Sequence, residues 1–442
     1  METITVPHAV QKIPLMEHAL PVTVSLVTSP SGFDALRSEW NDLLERSEAR
    51  VFQTYEWQRT WWKYFGEPQK LFQLYVIVVR EGHIAIGLAP LFIERIAVLG
   101  PLRFRRLAFI GRATSDYLDV LVARGKEELF FTELGHSLRQ HSADYDVVLL
   151  EDIPDGSQSH TRFRDVLDDA GFSGERFLSE YCPRTTFGET WEETLKTFPP
   201  AHRTRLMKSM KKITEEFHAE FERVQDPGQL DSAMDDFITM HQARWNVIGH
   251  KGVFADRTTH RFHREVAPLL MKRGWLFLAF LKMSGKRFAG DYGLIFRTEC
   301  STYLGGAYDA GDVSRQSPGT ILRMHIMREC HALGIQTYDF MRGAERYKYT
   351  LGAVDVPNWT MLMFNRGRRA TPMLHRARLL RDALVRRSVH EWSSMTHNAR
   401  KSGVFSKTFA SYLVHRCGTL VADALQKARE PEKSLVMGRD RK

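Results

Sequence analysis

The stretch Phe288–Cys330, FAGDYGLIFRTECSTYLGGAYDAGDVSRQSPGTILRMHIMREC, decides the fold. Two apolar runs, Arg287–Phe296 and Cys300–Ala307, read as strands that fold back on each other. A polar loop follows, and then a helix over Gly319–Leu333. Pro318 suits a first helical turn, where a missing N–H costs nothing, and Gly319 lets another group approach the backbone. Amides at a helix start are unpaired and sit at the positive end of the helix dipole, so they suit a phosphate. Arg315, just upstream, adds a fixed fork of donors.

Outward from this stretch the chain reads as α/β. VTVSLV from Val22 is a strand. Ser31 is a candidate N-cap for a helix to Glu45, with Phe33, Leu36, Trp40 and Leu44 on one face. Thr54–Phe65 is an aromatic helix whose Trp57, Trp61 and Trp62 read as core or as a plug between domains. Leu71–Arg80 and His83–Glu94 form a hairpin across Glu81-Gly82. Further strands are expected at Phe104–Ile110, Tyr117–Val122 and Asp146–Leu150, with helices at Lys126–Arg139 and Arg162–Ala170. After Cys182 a similar order recurs, ending in strands at Thr337–Met341 and Trp359–Phe364. The expected organisation is a loose arm over 1–21, one domain over 22–182, a second over 183–365, and a basic helical tail over 366–442.

The 442 residues carry a formal charge of +9, and its location matters more than its size. The tail from Arg366 holds 18 Lys and Arg against 6 Asp and Glu, while the rest holds 44 against 47. The near-neutral body argues against a nucleic-acid site there, and the tail suits an anionic membrane surface. No run approaches the roughly 18 apolar residues of a membrane span. The four cysteines are far apart in sequence and read as reduced thiols. The expected location is the cytoplasm, at the inner face of the membrane.

Gln316-Ser-Pro-Gly319-Thr320-Ile321 resembles the pyrophosphate loop of GNAT acyltransferases, with Ile321 where Gly or Ala is usual. Gly334-Ile-Gln-Thr-Tyr-Asp-Phe-Met-Arg-Gly, then Tyr347-Lys348, is similar to the CelD-like (BioF2-like) branch of that superfamily, which is related to FemAB transferases. Phe52-Gln-Thr-Tyr-Glu-Trp57, Ser115-Asp-Tyr-Leu-Asp119 and the basic helix around His202-Arg203-Thr-Arg205 agree with it. The resemblance covers roughly residues 22–365. It implies tandem GNAT-like domains with mixed sheets, and an acyl group moved from acetyl-CoA or acyl-CoA to a glycan or lipid-linked acceptor, without a metal.

On this reading Arg315, Gln316, Gly319 and Thr320 hold the donor. Asp291, Tyr308, Asp339 and Tyr347 are the catalytic candidates. Asp291 interrupts an apolar strand: facing inward it is a buried carboxylate whose pKa rises toward that of a base, and the plainer alternative is an outward-facing strand residue. The plainer alternative for Tyr308 is packing, and for Asp339 an ion pair with Arg342. Arg342, Lys348, Arg203 and Arg205 are candidates for an anionic substrate, against the plainer reading of a solvated basic face. Two other functions stay open: an aminoacyl-tRNA-dependent transferase of FemAB type, and a non-catalytic scaffold docked on lipid by its tail.

Overall fold

The computed structural model describes residues 20–98, 101–247, 249–309 and 311–379. The first half runs β1 (Val22–Val27), α1 (Pro30–Ala35), α2 (Arg37–Arg46), α3 (Tyr55–Trp61), β2 (Phe72–Glu81), β3 (Ile84–Ala97), β4 (Arg103–Phe109), β5 (Leu121–Val122), α4 (Glu127–Gln140), β6 (Val147–Pro154), α5 (Gln158–Asp169) and β7 (Phe172–Tyr181). The second runs β8 (Arg184–Thr186), α6 (Trp191–Lys196), α7 (Pro200–Phe217), β9 (Ala219–Arg223), α8 (Leu230–Val247), α9 (Arg257–Lys272), β10 (Leu276–Met283), β11 (Lys286–Phe296) and β12 (Glu299–Ala307). It continues with α10 (Gly311–Arg315), α11 (Pro318–Ala332), β13 (Thr337–Asp339), α12 (Arg346–Thr350) and β14 (Pro357–Asn365).

Two mixed sheets result. One is ordered β1-β2-β3-β4-β6-β14-β7, with β5 beside β3; the other is β8-β13-β12-β11-β10-β9. Period-2 alternation sends each strand's side chains to two faces. On β2, Tyr75, Ile77 and Val79 pack with α4 and α5, whereas Leu74, Val76 and Val78 face the other way. On β10, Phe277, Ala279 and Leu281 pack with α11, whereas Leu276, Leu278 and Phe280 face away from it. The two away-facing sets share one core, which also holds Phe33, Trp40 and Trp57 of the first half and Phe237 and Phe262 of the second. Each large side chain buried there contributes about 1.5–3 kcal/mol, so separating the halves would expose a major part of the stabilisation. Trp57 seals the join, its ring 5.1 Å from Phe262 and its Nε1 donating to Ser115 Oγ at 2.9 Å. Trp57 is therefore a plug between the halves, while the rings of Trp61 and Trp62 pack on Phe92 of the first half.

Several local expectations change. The first helix starts one cap earlier, on Ser29, whose Oγ accepts from Gly32 N, and it breaks at Leu36 into α1 and α2. Of the strand expected at Tyr117–Val122 only Leu121–Val122 forms; Asp116 and Tyr117 lie on a loop. β7 has no counterpart in the sequence reading. The strand expected to close the second unit, Trp359–Phe364, instead lies in the first sheet between β6 and β7. Its alternation explains why it is central. Met361 and Met363 enter the α4–α5 core, while Leu362 and Phe364 enter a small cluster with Phe104 and Val147. Residues 371–379 are helical, as the spacing of Leu374 and Ala377 suggests, and Arg378 Nη1 donates to Ala97 O at 2.7 Å. The arm over 1–19 and the tail from 380 lie outside the described residues.

Candidate active site

β12 and β13 run parallel and pair at only three positions, Glu299↔Thr337, Cys300↔Tyr338 and Ser301↔Asp339. β12 then continues to Ala307 alone on that side, so the two strands part. At the same point β12 carries an extra residue: Tyr292 opposes Leu304 and Gly293 opposes Thr302, which leaves Tyr303 as a bulge. Gly306, next on β12, is required by packing, since a Cβ there would come 2.7 Å from the His241 backbone N on α8. Open sheets place ligands at the carboxyl ends of strands. Here that end holds a parted pair of strands and the start of α11.

The α11 start carries the four expected donor residues. Ser317, in the left-handed region at φ 57°, turns the chain into the helix. Its carbonyl accepts from Thr320 N at 2.9 Å and Ile321 N at 3.1 Å. The Gly319 N–H has no partner among the described residues, and a Cβ at Gly319 would meet only Arg323 Nη1, at 3.6 Å. No acidic residue stands in the first turn of α11. Arg315 is exposed and pairs with Asp312 at 2.9 Å; Gln316 and Thr320 are half-buried. Ile321 points away into the core on the α11 side of the sheet. The residues thus fit a phosphate group: one free amide, a dipole without opposing acid, and a guanidinium on the rim.

Asp291 is 1% exposed, on the α11 face. Thr302 Oγ1 donates to it at 2.6 Å, and Arg323 Nε of α11 lies 3.2 Å away. Burial raises its pKa, against the opposing pull of Arg323 and Thr302. The Arg323 guanidinium stands 4.7 Å over the ring of Tyr347, whose own pKa burial pushes up. Asp291 and Tyr347 are therefore brought together, with Arg323 between them. Sequence reasoning missed Arg323 because a single arginine on an amphipathic helix carries no signal.

Asp339, fully buried at the end of β13, accepts from Tyr117 Oη at 2.6 Å and from Met341 N at 2.7 Å. Arg184 Nε lies 3.5 Å from it. Burial, with Glu299, pushes its pKa up to about 6 against Arg184 and Arg50. Arg342 does not meet Asp339 in an ion pair. It crosses to the first half, where it pairs closely with Asp116, donates to Ser115 O at 2.6 Å, and lies 3.4 Å from Asp152. Burial pushes Asp152 up to about 7 although Arg342 opposes it. Lys348, 2% exposed, donates to the carbonyls of Met341, Arg342 and Gly343 at 3.0, 2.8 and 2.9 Å. It thereby fixes the turn that aims Arg342.

The other candidates lie apart. Tyr308 is exposed beyond the end of β12. On α7, Arg203 Nη1 donates to Leu195 O at 3.1 Å and Arg205 is exposed, while Lys211 and Lys212 pair with Glu215 and Glu216 one turn on. Among the described residues no three His, Cys, Asp or Glu side chains converge as a metal set, and no helix is long and apolar enough to cross a membrane. Cys300 and Cys330 are buried and meet through their side chains.

Comparison with known proteins fits this geometry. Residues 200–349 match the profile of a family described as an acetyltransferase (GNAT) domain. The matched stretch runs from the start of α7 into α12. No curated protein matches the chain in sequence. Among solved structures, FemX has a TM-score of 0.54 at 10% identity, covering 76% of this chain and 98% of its own. The C-terminal domain of a putative lysylphosphatidylglycerol synthetase from Agrobacterium fabrum gives 0.47 at 13% identity, over 78% and 96%. A tandem GNAT protein from the clavulanic acid biosynthesis pathway gives 0.39 at 12%, over 77% and 98%. The likeness to FemX shows the fold over both halves.

Proposed function

We propose that the chain transfers an acyl group from a coenzyme A thioester to a hydroxyl or amine of a sugar, lipid or surface-polysaccharide precursor. The observation that carries this is the parting of β12 from β13 at the end where α11 begins. The GNAT match over 200–349 supports it. Coenzyme A, when bound, supplies an activated acyl carbonyl. The residues of the chain hold and orient it. Gly319 N–H, Thr320, Gln316 and Arg315 hold the pyrophosphate at the α11 start. Asp291 with Arg323, and Asp339 with Tyr117, fix the two strands beside the gap. Tyr347, beside Arg323, is the candidate proton donor to the departing thiolate, and exposed Tyr308 flanks the entrance. Arg342 and Lys348 shape the strand end, and Arg203 and Arg205 offer charge to an anionic part of the acceptor. The basic tail attaches the protein to an anionic lipid surface.

Coenzyme A titration with thermal unfolding as readout tests the reading. A donor with a dissociation constant near 10 μM stabilises the folded state by about 2.7 kcal/mol at 1 mM, a shift of a few degrees. No shift with free or acetyl-coenzyme A at millimolar concentration overturns the thioester reading.

A further inference from the structure

A cavity of about 480 Å³ opens between the halves. Ala113 and Thr114 of the first half form one wall, and the segment from Lys251 to Asp256 forms the other. His263 of α9 and the bulged Tyr303 of β12 also line it. Tyr303 belongs to the core shared by the halves, on the face away from α11. It stands two residues past the last β12–β13 pair, so the cavity abuts the place where the strands part.

His263 is the unusual group. It is 1% exposed, and neither ring nitrogen has a hydrogen-bond partner. The hydroxyl of Tyr292, whose ring lies 5.5 Å away, has none either. Buried polar groups are almost always paired, so the unpaired imidazole on the cavity lining points to a ligand. Aromatic neighbours hold the imidazole, with Phe262 at 4.9 Å, Phe254 at 5.5 Å and Tyr303 at 5.6 Å.

The chemistry of the lining narrows the ligand. Burial holds the His263 imidazole at a pKa of about 3, so at neutral pH it is uncharged. A neutral imidazole offers one donor and one acceptor. The charged residues of the lining are one lysine, Lys251, and one aspartate, Asp256, whose carboxylate already accepts from Thr259 N at 2.7 Å and Thr259 Oγ1 at 2.8 Å. The lining therefore has no excess of either charge to select an ion. Its aromatic faces suit the C–H face of a sugar ring.

We infer that this cavity binds a neutral sugar-type polyol, with His263 hydrogen-bonding one of its hydroxyls. The inference deepens the acyl-transfer reading, on which it rests for one point: the polyol is the acceptor. Its hydroxyl oxygen bonds to the thioester carbonyl carbon, the C–S bond breaks, and the hydroxyl proton ends on the released thiol.

Saturation-transfer NMR on the full chain tests it, with methyl β-glucopyranoside and N-acetylglucosamine as probes and glycerol phosphate as the anionic comparison. Sugar ring protons receive saturation in the wild type. Binding falls at least fivefold in His263→Phe, and part of it survives in His263→Gln. Val253→Trp, at an exposed rim position, blocks the cavity without touching the buried ring, and so covers the case where a core variant fails to fold. Absent sugar binding, binding unchanged in both His263→Phe and Val253→Trp, or binding of glycerol phosphate alone overturns the inference. Sugar binding without any coenzyme A shift leaves the cavity assignment standing and removes the acyl-transfer reading. A coenzyme A shift without sugar binding does the reverse.

Discussion

Each half contains a strand, a crossover helix and a second strand parallel to the first: β4–α4–β6 in one, β12–α11–β13 in the other. The helices begin with opposite charge. Glu127 and Glu128 occupy the first turn of α4, where they satisfy the helix dipole themselves, and Lys126 is taken by Glu81 at 2.6 Å. α11 has no acid in its first turn, an unpaired Gly319 N–H and Arg315 on the rim. The same fold unit thus supplies an anion site once and a self-satisfied helix start once. On the proposed reading, donor binding belongs to the second half, while the first half builds one wall of the cavity and receives Arg342.

The sharpest way to break that comparison is to give α11 the charge of α4. Gly319→Glu places a carboxylate in the first turn. The helix tolerates it, because a Cβ there meets only Arg323 Nη1, at an ordinary contact distance of 3.6 Å, and glycine is a poor helix former. We expect coenzyme A affinity to fall about a hundredfold, about 2.7 kcal/mol, with a melting temperature equal to or above wild type. Gly319→Ala, as comparison, keeps binding within about twofold. Calorimetric titration that finds equal affinity in Gly319→Glu and wild type would move the donor away from α11.

Sequence legibility differs between elements for physical reasons. The segment Phe288–Cys330 was legible because strand alternation, a Pro-Gly helix start and an amphipathic helix are all local signals. β14 was legible as a strand but not as a member of the first sheet. Apolar residues on both its faces mark a central strand, and nothing local says which sheet it completes. β7 was illegible because its residues Ser173–Glu175 and Glu180–Tyr181 are exposed, which hides the alternation. Asp116 sits in a motif that was noticed, yet its role depends on Arg342, 226 residues away. His263 gave no signal at all: one histidine on a helix means nothing until its burial and missing partners are seen.

The two parallel strands also end alike, each with an aspartate that burial pushes up, Asp152 on β6 to about 7 and Asp339 on β13 to about 6. A carboxyl raised in the folded state stabilises most below its unfolded value near 3.8, and that contribution is lost as pH rises to the folded value. For Asp152 the window is therefore pH 4 to 7. Against Asp152→Asn, which does not titrate, wild-type stability should fall by up to about 1.4 kcal/mol per pH unit across that window. The difference should level off between pH 7 and 8. Urea unfolding of both proteins at pH 5, 6, 7 and 8 measures it. Wild-type stability that instead rises with pH relative to Asp152→Asn would mean that Arg342 outweighs burial, and that the two strand ends are not alike.

The smallest effect belongs to Arg315, and its size separates two sources of anion affinity. Arg315 is 79% exposed and pairs with an exposed Asp312, so most of its charge is already screened by water. The helix start, by contrast, is fixed and needs no side-chain ordering. Arg315→Ala should weaken coenzyme A binding only about threefold at 0.15 M salt, about 0.6 kcal/mol, and the loss should shrink further at 0.5 M. A loss as large as that of Gly319→Glu, undiminished by salt, would show that the guanidinium and not the α11 amides grips the phosphate. The contrast with α4 would then reduce to one arginine rather than to the charge of two helix starts.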